Sequence, residues 1–135
     1  MRYLLDTNVL SELVKRRPDT QVKKWVEAQS PLDLAISVLS LGEIRKGIEL
    51  LRKKSPAQCV AFERWLTQLH ADYFESIVTV SEEISERWGR LMALRTLPVV
   101  DGLIAATALV HGLTVVTRNA GDFKGTGAKV FNPFD

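Results

Sequence analysis

Short apolar runs alternate with longer amphipathic stretches along this chain. The apolar runs are continuous, which is typical of strands that are buried on both faces of a parallel sheet. The predicted strands are residues 2–5, 34–38, 77–80, 113–117 and 129–131. Helical spacing and capping signals predict helices at 8–15, after Asp19-Thr20, and at 40–53, 56–72, 82–95 and 101–111. This alternation predicts an α/β fold with a parallel sheet.

Four carboxylates fall close to the predicted strand ends. Asp6 ends the first strand, Glu43 and Asp122 each follow a later strand, and Asp101 opens the helix that leads into a strand. Sheets of this class bind ligands outside the carboxyl ends of their strands. We therefore expect these four acids to approach one another at a single edge of the sheet.

Each acid also has a purely structural interpretation. Asp6 and Asp101 are suitable N-caps for the helices that follow them. Glu43 stands three residues after Ser40, which is the spacing of a capping box. Asp122 belongs to a segment whose composition favours a turn. The residues alone leave both interpretations open.

A bound cation would explain the four acids together. Like charges that lie close together raise one another's pKa, so such a cluster persists when a cation neutralises it. The ligands are oxygens, with no His or Cys at metal spacing, which favours Mg²⁺ or Mn²⁺. The corresponding chemistry is hydrolysis of a phosphodiester by metal-activated water. Thr7 and Asn119 are candidates for holding carboxylates or waters in place.

Length and composition indicate one ordinary globular domain. The chain has 135 residues, of which 46% are hydrophobic and 25% charged, so we predict a single domain over residues 1–135. Its single cysteine, Cys59, cannot form an internal disulfide, which is typical of a reducing compartment. There is no signal peptide pattern and no apolar run long enough to cross a membrane. We therefore expect a soluble protein of the cytoplasm.

The net charge of +2 is mild, but the basic residues are clustered. The clusters are residues 15–17, 45–46 and 52–54. Such runs form either solvated faces or phosphate-binding surfaces. Arg45, Lys46 and Arg118 are the most informative, because they are neighbours of Glu43 and Asn119 in sequence. They are candidates for drawing a phosphodiester backbone toward the acids, or else for offsetting the acidic charge.

Three segments together resemble a known family. DTNVLSEL, SVLSLGEIRKGIELL and PVVDGLIAATALVHGLTVVTRNAGDF are similar to the PIN domain, and in particular to the VapC and FitB group of toxin ribonucleases. The resemblance covers nearly the whole chain. It implies a three-layer α/β/α fold with a five-stranded parallel sheet, and an acidic pocket that binds Mg²⁺ or Mn²⁺.

The resemblance also implies roles for individual residues and partners. The matching acids are Asp6, Glu43, Asp101 and Asp122, and the matching polar positions of the last motif are Thr117 and Asn119. The implied activity is metal-dependent endoribonucleolytic cleavage that leaves a 5′-phosphate. The implied partners are an RNA substrate, a second copy of the chain, and an antitoxin through which operator DNA is bound.

A non-catalytic PIN-type module that binds RNA or protein is the alternative to the ribonuclease. The presence of all four acids favours the enzyme, because a binding module would tolerate the loss of one of them. Asp122 is preceded by Ala-Gly, where a charged residue often stands in the family. That departure leaves the placement of Asp122 as a ligand open.

Overall fold

The computed structural model describes all residues from 1 to 135. Its strands are β1 (Tyr3–Leu5), β2 (Leu34–Ser37), β3 (Ile77–Val78), β4 (Thr114–Val116) and β5 (Lys129–Phe131). Its helices are α1 (Thr7–Leu13), α2 (Thr20–Ala28), α3 (Val38–Lys54), α4 (Cys59–Asp72), α5 (Glu82–Leu94) and α6 (Val99–His111). Short 3-10 turns lie at Pro31–Asp33, Pro56–Gln58, Phe74–Ser76 and Ala120–Phe123.

The five strands form one sheet in the order β3-β2-β1-β4-β5, and every neighbouring pair is parallel. The central strand β1 pairs with β2 on one side and with β4 on the other. Its last residue, Leu5, lies opposite Ile36 and Val116. Residues that follow β1 and β4 therefore lie side by side at the carboxyl edge.

Helices cover both faces of the sheet, because successive strand residues point to opposite sides. Leu4 packs into an apolar cluster with residues of α5 and α6, including Ile84 and Ile104. Leu5 packs on the other face with residues of α1 to α4, including Val9 and Ile44. The three-layer α/β/α architecture predicted from the sequence is confirmed.

Several predicted element ends are corrected by the structure. Helix α3 begins at Val38, because the Ser37 hydroxyl accepts a hydrogen bond from Leu39 N and caps it there. Helix α6 begins at Val99, directly after Pro98, so Asp101 lies inside the helix. Strand β3 ends at Val78, opposite the last residue of β2. Two caps are as predicted: the Asp19 and Ser81 side chains cap α2 and α5.

Candidate active site

Asp6 lies at the centre of the carboxyl edge, between the ends of β1 and β4. One carboxylate oxygen, Oδ1, accepts a hydrogen bond from Thr7 N at 2.9 Å, which caps α1. The other, Oδ2, accepts a hydrogen bond from Thr117 Oγ1 at 2.8 Å. Thr117 is fully buried. The capping interpretation of Asp6 is therefore correct for one oxygen, while a threonine that directly follows the neighbouring strand β4 holds the other.

Asn8 completes this arrangement and was not among the predicted site residues. Its Nδ2 donates to Thr117 Oγ1 at 3.1 Å and, more loosely, to Asp6 Oδ2 at 3.4 Å. Its Oδ1 accepts from Arg118 N at 3.1 Å. The available signal was its position two residues after Asp6, in the first turn of the same helix. Asn8 thereby ties the loop after β4 to the start of α1.

Thr7 joins Asp6 to Glu43. The amide of Thr7 donates to Asp6, and its hydroxyl donates to Glu43 Oε1 at 2.7 Å. Glu43 lies in the second turn of α3, since that helix begins at Val38. The capping-box interpretation with Ser40 is therefore wrong. The Glu43 carboxylate thus accepts a hydrogen bond from a residue that lies thirty-six positions earlier in the sequence.

Asp101 lies in the first turn of α6, but it is not the N-cap, which is Pro98. The helix-cap interpretation of Asp101 is therefore wrong. Burial raises the pKa of its carboxyl group, and the charges of Asp6, Asp122 and Glu43 raise it further, in that order. The charges of the other three predicted acids thus contribute to the raised pKa of Asp101, although burial is its largest cause.

The loop after β4 carries the remaining predicted residues. Asn119 N donates to Thr117 Oγ1 at 3.1 Å, so Thr117 serves Asp6, Asn8 and Asn119 together. Asp122 is exposed in the 3-10 turn, and its amide bonds to Asn119 O at 3.0 Å. The charge of Asp122 also contributes to the raised pKa of Asp6, whose largest cause is burial.

Comparison with known proteins agrees with this geometry. The sequence profile of the PIN domain family matches residues 3–129, which is nearly the whole chain. The chain is a PIN domain protein. Among curated relatives, the VapC ribonuclease Y4jK of Sinorhizobium fredii is 30% identical, over 98% of this chain and 97% of that protein.

Two solved structures show the same fold. A structure of FitAB bound to an IR36 DNA fragment matches with a TM-score of 0.87 and 30% identity, covering 98% of this chain and 96% of that one. A toxin–antitoxin complex from Klebsiella pneumoniae matches with a TM-score of 0.75 and 31% identity, covering 98% of each chain.

The acids of this PIN domain suit a hard cation, although they do not form a complete cage. No group of three or more Asp, Glu, His or Cys side chains is close enough to hold a metal ion by itself. Mg²⁺ characteristically keeps several waters and uses one or two carboxylates together with substrate phosphates. The donor set, all carboxylate oxygens, and the raised pKa of Asp6 and Asp101 both fit such an ion.

Ser40 of α3 has an environment that the sequence did not predict. Its hydroxyl is buried and has no hydrogen-bond partner in the chain, one helical turn before Glu43. Unpaired buried hydroxyls are rare in proteins. Ser40 faces inward on the same stripe of α3 as Ile44 and Ile48, which are also buried.

The predicted cationic residues behave differently from one another. The Arg45 guanidinium forms ion pairs with Glu63 of α4 and Glu49 of its own helix, so its charge is neutralised locally. Arg118 has no carboxylate within 4.0 Å and lies over the ring of Phe134. Lys46 is exposed. Of these residues, Arg118 alone combines an unpaired charge with a backbone that is tied to the site, since its N–H donates to Asn8 Oδ1.

An apolar cleft of about 370 Å³ adjoins the acids. Thr7 and Glu43 line one end of it, and Ile48, Phe62 and Trp65 are among its apolar lining residues. Helices α1, α3 and α4 provide these side chains. Any segment that fills the cleft contacts two residues of the candidate active site.

None of the helices is both long enough and apolar enough to cross a bilayer.

Proposed function

We propose that this PIN domain, spanning residues 1–135 as one unit, is a metal-dependent endoribonuclease and the toxin of a bacterial toxin–antitoxin pair. The observation that carries the proposal is that Thr7 bonds both Asp6 and Glu43 while Thr117 holds the second oxygen of Asp6, so that acids from distant segments are fixed together at the carboxyl edge of a PIN domain. A cluster of ionised carboxylates is unfavourable without a cation. The similar protein from Sinorhizobium fredii is named a VapC ribonuclease, which supports RNA as the substrate.

Asp6, Glu43 and Asp101 would hold Mg²⁺ or Mn²⁺, with Asp122 assisting. When bound, such an ion supplies charge neutralisation at the phosphate and a nucleophile at neutral pH. The residues around the acids fix their orientation. Thr117 holds Asp6 Oδ2, and Thr7 holds Asp6 Oδ1 and Glu43 Oε1. Such supporting hydrogen bonds determine how a ligand carboxylate presents its lone pairs.

Asn119 belongs to the same support. Its amide is fixed by Thr117, and the residue is exposed at the carboxyl edge. We assign its side chain to the substrate side of the site, where an amide can bond a ribose hydroxyl or a phosphate oxygen. The 2′-hydroxyl is the group that distinguishes RNA from DNA.

We infer that the partner is an antitoxin that covers the apolar cleft. The similar structure from Klebsiella pneumoniae is a toxin–antitoxin complex, and FitAB is bound to DNA. A protein segment in the cleft would contact Thr7 and Glu43 and block substrate. We propose that operator DNA is reached only through such a complex, that the chain forms a homodimer, and that it acts in the cytoplasm.

Cleavage of total cellular RNA by the purified protein tests the activity. We expect discrete fragments in Mg²⁺ or Mn²⁺, none in EDTA, and none from Asp6→Asn. The matched control is Glu86→Gln, which removes one carboxylate from the exposed face of α5 and should cleave like wild type. Folded protein that never cleaves in either metal, while still binding RNA or the antitoxin, would establish the non-catalytic module instead.

A further inference from the structure

Asparagine side chains hold the backbone of Arg118 on both sides. Its N–H donates to Asn8 Oδ1 at 3.1 Å, and its carbonyl accepts from Asn132 Nδ2 at 3.2 Å. Asn8 also bonds Thr117, which bonds Asp6. The main chain at Arg118 is therefore fixed relative to the candidate catalytic carboxylate, although it lies in a loop.

The C-terminal segment also holds the side chain of Arg118. Its guanidinium carbon lies 4.6 Å from the centre of the Phe134 ring, which is the distance of a cation–π contact. Asn132 Oδ1 accepts from Phe134 N at 2.9 Å, so the same asparagine folds the tail and binds the loop. Phe134 is half-buried against the apolar cluster on the α1–α4 face.

No ion pair within the protein neutralises the charge of Arg118. No carboxylate lies within 4.0 Å of it, in contrast to Arg45 and Arg52, which form ion pairs with Glu49 and Glu63. The charge of Arg118 contributes to the lowered pKa of Glu12, but Glu12 forms its hydrogen bonds with other residues. The two oxygens of Glu12 accept from Lys15 Nζ and from the amide of Asp19.

We propose that Arg118 binds a backbone phosphate of the RNA strand next to the scissile position, and that Phe134 is the positioning residue that holds it there. This inference rests on the proposed ribonuclease function. A strand that reaches the acids carries neighbouring phosphates along the same edge, where the carboxylates repel them. A guanidinium stacked on a ring keeps its N–H edges free, and those edges match phosphate oxygens in a bidentate manner.

The first test measures RNA binding without cleavage. Fluorescence anisotropy in EDTA follows a short, labelled, single-stranded RNA of mixed sequence as NaCl is raised. We expect Arg118→Gln to weaken binding and to lower the slope of log affinity against log salt by about 0.7, the loss of one phosphate contact on a single strand. Arg90→Gln, which removes the same charge from the exposed face of α5, should leave the slope unchanged.

The second test separates positioning from general stability. Phe134→Leu keeps an apolar side chain against the cluster and removes the ring, while Phe134→Trp keeps a ring. In Mg²⁺ we expect Phe134→Leu to raise KM about three-fold, the range of an exposed cation–π contact, with kcat within about two-fold and the melting temperature nearly unchanged. Phe134→Trp should restore KM.

Each outcome distinguishes the two proposals. If wild type cleaves RNA but Arg118→Gln keeps the wild-type salt slope, the inference about Arg118 is overturned and the ribonuclease stands. If Arg118→Gln weakens only the complex with the antitoxin, the residue serves an acidic protein segment and the RNA assignment is wrong. If wild type never cleaves, the ribonuclease fails, while the slope in EDTA still reports whether Arg118 contacts RNA phosphate.

Discussion

Thr117 shows how much one buried hydroxyl can control at this site. It donates to Asp6 Oδ2 and accepts from Asn8 Nδ2 and Asn119 N. Its hydrogen bond lowers the pKa of Asp6 and thus opposes the larger effect of burial, which raises it. The hydroxyl therefore favours the ionised form of a half-buried carboxylate and fixes the position of its Oδ2.

Thr117→Val removes this hydroxyl with almost no change in volume. We expect cleavage to fall about 10- to 100-fold, the usual cost of losing a group that orients a metal ligand. The free energy of unfolding should fall by about 1–3 kcal/mol, because buried polar partners lose their hydrogen bond. RNA cleavage and urea unfolding measure the two effects. Thr107→Val, at a buried threonine that bonds only within α6, is the control, and equal activity losses in both variants would contradict the assignment.

For Ser40 we expect the opposite effect of removing the hydroxyl on the free energy of unfolding. Its buried hydroxyl has no partner in the chain, so Ser40→Ala removes a polar group that is desolvated without compensation. We expect the free energy of unfolding to stay the same or to rise, by up to about 1 kcal/mol. Denaturant unfolding measures this. A loss of stability would show that the hydroxyl is satisfied by an ordered water in solution, and the chain's activity would then report whether that water belongs to the site.

At the scale of elements, α6 carries Asp101 to the site, and its packing on α5 sets where that residue lies. Gly102 follows Asp101 and faces α5 so closely that a β-carbon would lie 2.9 Å from Met92 Sδ and 3.1 Å from the Trp88 ring. Only a residue without a side chain allows this approach. The position of Asp101 is therefore coupled to the α5–α6 contact.

Gly102→Ala tests this coupling. We expect overpacking to cost about 1–3 kcal/mol of stability, and cleavage to fall because the first turn of α6 moves. Gly89→Ala is the matched control, since nothing lies within 4 Å of its β-carbon position on α5; it should gain up to about 1 kcal/mol. Thermal melts and cleavage assays measure both variants. A Gly102→Ala protein with unchanged stability and activity would show that α5 gives way without moving Asp101.

The sequence predicted the strands and helices more fully than the contacts within the site. The apolar runs and the caps at Asp19 and Ser81 act locally, so strand order along the chain and several helix starts followed from them. Contacts that join distant segments did not follow. The Thr7 to Glu43 bond spans thirty-six residues, and the pairing of Arg45 with Glu63 depends on how α3 meets α4. The four acids were predicted because parallel strands end at one edge, whereas Asn8 was missed because its role requires β4.

At the scale of the whole molecule, the acids make metal-free stability depend on pH. The pKa of Asp101 is raised in the folded state by burial and then by the charges of Asp6, Asp122 and Glu43. An acid with a raised folded pKa ionises more readily in the unfolded chain. The contribution of Asp101 to stability is therefore most favourable below the unfolded pKa of about 3.9 and is lost as pH rises through the raised folded value. The fold thus gives up stability at neutral pH unless a cation is present.

Asp101→Asn isolates this effect. In EDTA at neutral pH we expect the variant to melt at a higher temperature than wild type, because it removes one of the repelling charges. The difference should disappear well below the unfolded pKa of about 3.9, where Asp101 is protonated in both the folded and the unfolded state. Mg²⁺ should then raise the melting temperature of wild type in proportion to its occupancy, and that of Asp101→Asn by less. Glu86→Gln, remote from the site on α5, should follow wild type throughout.

The opposite result would be an Asp101→Asn variant that melts lower than wild type in EDTA at neutral pH. Asp101 would then stabilise the start of α6 more than the neighbouring charges destabilise it, and the repulsion that argues for a cation would be absent.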